Sequence, residues 1–214
     1  MNRALLPILL VAGAVVAGGC TTFTEPVRTG PGYGIAELGR QRITDTLDVE
    51  LLSTLTLDYV NLYRARYDLP RLNLDQRAAQ AAQWMASYQA SRSAVTHVAD
   101  VPSMRVFPLR YRACGGVAYE RGVENAGWYK LFETDSLRNL TYDEMARRIV
   151  DGWINSPSHH RNLVARAGAT EGLVGVGIAR GRFANIEGIY STLNVFFPWP
   201  DQALFEPRGE RTGG

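Results

Sequence analysis

Lysine, histidine and cysteine are all scarce in this chain. Lysine occurs once, at Lys130, so nearly all of the positive charge is carried by arginine. The formal net charge is only +2 over 214 residues, and no run of basic residues exceeds two. That balance excludes the basic stripe or patch on which nucleic-acid binding depends. Two cysteines, Cys20 and Cys114, exclude a disulfide-rich scaffold. Familiar catalytic patterns are missing as well. There is no C-x-x-C pair, no H-E-x-x-H and no G-x-S-x-G elbow. Gly175 and Gly177 begin a glycine pattern, but Arg180 stands where a dinucleotide fingerprint has its third glycine.

What is there begins with an export signal. Arg3 precedes an apolar stretch from Ala4 to Ala17, which has the length of a signal-peptide core and is short for a membrane span. Gly18, Gly19 and Cys20 follow. Small residues directly before a cysteine suit a lipoprotein signal peptidase, because nothing obstructs the cut and the thiol is then diacylated. The expectation is a signal peptide over 1–19 and a lipid on Cys20 that holds the protein at a membrane of the cell envelope. Thr21 is not the aspartate that retains lipoproteins at an inner membrane, which points to the outer membrane, facing the periplasm. An acylated Cys20 leaves the domain without a disulfide, and Cys114 then reads as a small packing side chain.

Residues 20–43 are rich in Gly, Pro and Thr without apolar periodicity and read as a tether. Residues 201–214 read as a flexible tail. Between them, 44–200 form one domain. Leu51, Leu52, Leu55, Tyr59, Leu62 and Tyr63 recur at helical spacing after a candidate N-cap, Asp48, and Pro70 lies beyond the end of that helix. A second helix shows a narrow face of Ala78, Ala81, Ala82 and Met85, small enough for close packing on a neighbour. A third opens on Thr141 and Glu144, which have capping-box spacing, and continues with Met145, Ile149, Val150 and Trp153. Pro157 ends it, which puts the pair His159–His160 on the loop beyond. The last third changes period. "GLVGVGIARG" and "GIYSTLNVFF" read as neighbouring antiparallel strands, with "VFPLRYR" a weaker third. Helices first and a sheet closing late imply an α+β domain.

The chemistry is dispersed over His97, Glu124 and the His159–His160 pair. Two neutral imidazoles and a carboxylate suit a divalent cation such as zinc, and equally suit general acid–base work. Spacing alone leaves these alternatives open.

The segments carry a family resemblance. "YVNLYRARYDLPRLNLDQRAAQAAQWMA", "THV", "VENAGW", "WINSPSHHRNL", "VGVGIA" and "NVFF" occur in the order of the CAP superfamily, also called the SCP domain. That group includes cysteine-rich secretory proteins, antigen 5 and plant pathogenesis-related proteins, and the chain resembles it over about 44–198. The resemblance implies an α-β-α sandwich around a mainly antiparallel sheet, with a central cleft formed by His97, Glu124 and His159. His160 falls where the family has arginine, Ser158 where it has glycine, and Ser156 where many eukaryotic members have a second glutamate. The implied role is a binding or interaction module for a small lipid, peptide, envelope ligand or divalent metal. A metal-assisted hydrolase or protease using the same cleft is the alternative.

Overall fold

The computed structural model describes residues 34–133, 138–167 and 171–199. The export signal, Cys20, most of the tether and the tail lie outside the described residues. A short helix α1 (Gly34–Gly39) leads to α2 (Val49–Ala65), a two-residue strand β1 (Asn73–Leu74) and α3 (Gln76–Arg92). A 3-10 turn (Pro102–Met104) and α4 (Phe107–Ala113) precede β2 (Tyr119–Lys130). Two further helices, α5 (Tyr142–Ile154) and α6 (Pro157–Leu163), come before the closing hairpin of β3 (Leu173–Phe183) and β4 (Ile186–Pro198). The strands lie in the order β1-β3-β4-β2. Only β1 is parallel to its neighbour, so the sheet is mixed and mainly antiparallel. The α+β architecture expected from the sequence is the one observed.

Strand alternation sorts the two faces of the sheet. Val174, Val176 and Ile178 of β3 and Ile189, Leu193, Val195 and Phe197 of β4 share one buried core with α2 and α5. The opposite face carries α3 and α4, where Ala78, Tyr111 and Phe196 form a smaller cluster. A stretch that alternates in this way and is buried on both sides reads as a nearly continuous apolar run, which is how "GLVGVGIARG" looks. The alanine face of α3 meets the two glycines of that run. A Cβ at Gly177 would stand 2.1 Å from the backbone of Ala82, and one at Gly175 only 2.0 Å from Ala78. The incomplete dinucleotide pattern is therefore a packing device that lets a helix lie directly on a strand.

Local capping agrees with the sequence. Asp48 accepts a hydrogen bond from the Leu51 N–H (2.9 Å), and Thr141 and Glu144 form a complete capping box at the start of α5. The Arg138 guanidinium, followed by the Thr141 N–H, holds the Glu144 carboxyl down at about 2 from an ordinary 4.5. A depressed carboxylate stabilises the fold above its unfolded value, and the contribution is lost as pH falls from about 4.5 through about 2. Thr141→Ala should cost about 1 kcal/mol in urea unfolding at neutral pH. Alanine keeps the backbone N–H that donates to the Glu144 carboxylate, so the cost falls on the lost bond from the Glu144 N–H to the Thr141 hydroxyl. An unchanged midpoint would show that the box does not support α5.

Four expectations need correcting. "VFPLRYR" is helix α4, not a strand: Pro108 sits in its first turn, where a missing N–H is harmless, and Phe107, Arg110 and Tyr111 line its inner face. The histidine pair is not on a loop, since Pro157 ends α5 and also begins α6, which contains both rings. Leu62 is not part of the buried stripe of α2 and is 58% exposed. It lines an open groove of about 280 Å³ with Tyr59, Arg66 and Arg147. Finally, Cys114 is disulfide-bonded rather than a lone packing thiol. It is the C-cap residue of α4 and is buried.

Candidate functional site

The candidate site lies at the free edge of β2, where three segments distant in sequence bring His97, Glu124 and His159 near one another. The first is the loop after α3. Ser93 ends that helix in a left-handed turn (φ 51°), and buried Gln89 donates from Nε2 to the Thr96 carbonyl (2.7 Å), fixing the loop that carries His97. The second is β2 itself, which turns Glu124 toward the α4 side of the sheet. The third is α6, which wraps the edge of β2 from the other side. Asn125 donates to the His159 carbonyl (3.1 Å), while Asn162 donates to the Asn125 side-chain oxygen (2.9 Å) and the Glu124 carbonyl (3.1 Å). The Asn162 amide thus occupies one backbone carbonyl of β2, and the Asn125 amide ties the backbone of His159 to the strand.

Glu124 is the centre of the arrangement. Its side chain is 2% exposed and both carboxylate oxygens are engaged. Oε1 accepts from Nδ1 of His97 (2.9 Å) and Oε2 accepts from Nη2 of Arg110 (2.5 Å). Arg110 is fully buried and also donates from Nη1 to the carbonyls of Met104 and Arg105. A carboxylate can only accept, so His97 in its neutral form carries its proton on Nδ1 and leaves the lone pair on Nε2. The His97 side chain is about half exposed (52%), and its ring centroid lies 6.5 Å from that of His159.

His97, Glu124 and His159, the three residues singled out from the sequence, thus lie near one another. His160 stands apart, edge-on to Tyr63 and Tyr67, with its Nε2 3.3 Å from the Tyr67 hydroxyl. Sequence reasoning missed Arg110. The signal was available in the helical spacing of Phe107, Arg110 and Tyr111 but was masked by reading that segment as a strand. It also gave no role to Asn125 and Asn162, which stand inside motifs it had quoted.

Burial, followed by the neighbouring His97, lowers the His159 pKa from its usual 6.5. The neutral form of the ring is therefore favoured relative to a free imidazole. For a base depressed in the folded state, stability is complete above about 6.5 and declines as pH falls through the folded value. The His159 ring resonances should titrate with a midpoint below 6.5 in an NMR pH series, and a midpoint at or above that value would contradict the geometry.

Zinc binds imidazole nitrogen at about 2.0–2.1 Å, and a carboxylate behind a ligating ring fixes its tautomer and orientation. The Glu124–His97 pair has that second arrangement, which leaves Nε2 of His97 without a bond to the carboxylate. Among the described residues no three His, Cys, Asp or Glu side chains are grouped to hold a metal. The donors that fit a cation are the two imidazoles, with Glu124 standing behind His97.

The cysteine-rich secretory protein (CAP) family profile matches residues 57–185, more than half of the chain. Among solved structures, an SCP-domain extracellular protein from Bacillus anthracis is 21% identical, with a TM-score of 0.50 over 70% of this chain and 41% of that one. An outer surface protein from Borrelia burgdorferi is 17% identical (TM-score 0.48, 67% of this chain and 91% of that one). The CAP domain of Enterococcal PrgA is also 17% identical (TM-score 0.47, 75% and 65%). No curated protein matches the chain. At 21% identity the Bacillus structure speaks to the fold alone, and this chain spans less than half of that protein. With its helices on both faces of a mainly antiparallel sheet and a family match running from α2 to the β3–β4 turn, this chain belongs to the cysteine-rich secretory protein (CAP) family.

Proposed function

We propose that this protein is an extracytoplasmic binding domain that holds its ligand, a divalent cation or a small molecule carried with one, between His97 and His159. The observation that carries this reading is the chain of contacts from buried Arg110 through Glu124 to His97, which fixes one imidazole with its ring centroid 6.5 Å from that of a second whose pKa burial lowers. Neutral, pre-oriented imidazoles are what cation binding needs. The alternative of a metal-assisted hydrolase draws less support. Ser156 and Ser158 pair with each other (3.3 Å), and among the described residues no serine or threonine hydroxyl is hydrogen-bonded to either cleft imidazole.

Zinc titration by calorimetry on the full chain tests the assignment. His159→Ala should abolish binding, whereas His160→Ala should leave it within about twofold. Loss in the His160 variant alone would move the site by one residue, and a wild type that takes no cation would refute the cation reading. Native mass spectrometry of the same preparation would then show whether a lipid travels with the protein instead.

Placement at the cell envelope, by a lipid on Cys20, belongs to the same proposal. No helix among the described residues is long and apolar enough to cross a membrane, and the similar Bacillus anthracis protein is extracellular. With two cysteines in the sequence, a thioether-linked lipid and a bridge to Cys114 compete for one sulfur. Intact mass under non-reducing conditions separates them: diacylation adds several hundred daltons, and a bridge removes two. Cys20→Ser should release a lipidated protein from membranes, and a variant still bound there at precursor size would mean an uncleaved anchor.

A further inference from the structure

The edge of the sheet opposite His97 and His159 has an unfinished rung in its buried stretch. β1 runs beside β3 for two residues, and the Asp75 N–H then donates to the Val174 carbonyl (2.9 Å). The parallel ladder stops there because Asp75 is the N-cap of α3 and its own carbonyl accepts from Ala79 (2.9 Å). Further along β3 a side chain takes over. Ile178 donates its N–H to Gln83 Oε1 (3.0 Å) and accepts at its carbonyl from Gln83 Nε2 (2.8 Å). β3 pairs with β4 without a register shift, so the backbone groups facing away from β4 recur at every second residue. Val176, midway between the two capped positions, therefore turns both its N–H and its C=O outward. Among the described residues no hydrogen bond reaches either group from that side.

Those groups border a cavity of about 440 Å³ between α2 and α3, within the usual range of small-ligand sites. Its walls include Leu74, Ser53, Thr54 and Gln80, all uncharged, and Glu50 is the one charged residue lining it. We propose that this slot binds an extended peptide segment whose N–H and C=O complete the rung at Val176, with a basic side chain drawn toward Glu50. A neighbouring position on the same edge already has the required chemistry, since the Gln83 carboxamide lies against Ile178 as a peptide unit of an added strand would. An added strand offers both groups on one edge of a single residue, and the backbone pairing supplies affinity while side-chain pockets supply selectivity. The slot lies at the other edge of the sheet from His97 and His159 and does not depend on the cation reading.

The test is NMR on the ¹⁵N-labelled full chain, following the Val176 amide during titration with acetyl-Val-Lys-Val-amide. The parent peptide should shift that amide, and N-methylation of the lysine nitrogen should weaken binding at least tenfold. Ala79→Phe fills the slot from a half-exposed helix position and should abolish the shift while leaving the rest of the spectrum in place. Glu50→Gln should weaken the lysine peptide severalfold and leave a norleucine version unchanged. Equal binding of the N-methylated peptide overturns the proposal, as does the absence of any Val176 shift at millimolar peptide. An equal shift with N-acetylglucosamine would assign the slot to an acetamido sugar instead. A Val176 amide already protected from exchange in the ligand-free chain would assign it to a segment of the chain itself.

Discussion

Arg110→Met should destabilise the domain by about 3–5 kcal/mol, the range for removing one partner of a buried ion pair. The substitution keeps most of the side-chain volume, so the loss does not come from a cavity. It comes from leaving the Glu124 carboxylate in the interior without the guanidinium that donates to Oε2, and from freeing the Met104 and Arg105 carbonyls. The discriminating comparison is the double variant Arg110→Met, Glu124→Leu, which removes both charges and should recover a large part of the loss in urea unfolding. If the single variant costs less than about 1 kcal/mol, Arg110 does not stabilise Glu124 as described. If the double variant is no better than the single one, the damage lies in α4 packing and not in the unpaired charge. The pair also bears on the site, because Glu124 orients His97. Zinc binding at matched folded fraction should weaken in Glu124→Gln, whose neutral amide holds the ring less firmly.

Gly177→Ala is the second large effect. One added methyl group is usually a minor change in a strand, but here the new Cβ would stand 2.1 Å from the Ala82 backbone, closer than any non-bonded carbon can come. No side chain can rotate away, because both surfaces are backbone, so α3 must lift from β3. Overpacking a core costs about 1–3 kcal/mol and occasionally more, and a backbone-on-backbone clash belongs at the upper end. For a domain of this size that corresponds to a fall in Tm of roughly 6–12 °C. Gly39→Ala is the control, since its Cβ would meet the nearest atoms at an ordinary 3.5 Å. A Tm for Gly177→Ala no lower than that of the control would show that α3 does not lie on the strand as described. The lift would also disturb Gln83 and the edge of β3, so the peptide slot should fail together with stability.

The elements that could be read from the chain alone are those whose cause is local. Asp48, Thr141 and Glu144 announce helix starts because capping is a contact between residues three apart. The Ala78–Ala81–Ala82–Met85 face and the β3–β4 run announce themselves by period, and the order of short motifs carried the family and its cleft histidines. His97, Glu124 and His159 could be named as residues, but their meeting joins positions 27 and 35 apart along the chain, and no periodicity encodes such separations. The errors have the same origin. "VFPLRYR" has strand-like composition, and only the burial of Arg110 against Glu124 and of Tyr111 against Phe196 makes it a helix of the α3 layer. Pro157 ends one helix by its effect on the residue before it and begins another by its own fixed φ, and the sequence shows only the first of these. Gly175 and Gly177 were visible as glycines, but their purpose depends on which helix crosses them. Likewise, the unfinished rung at Val176 exists only because Asp75 turns its carbonyl into α3. Sequence alone determined the fold class, the caps and the residue types of the cleft, since these rest on short-range propensity and motif order. Tertiary structure decided which charges are paired, which edge is open and which histidine stands beside His97, because each of those depends on groups that the chain brings together only when it is folded.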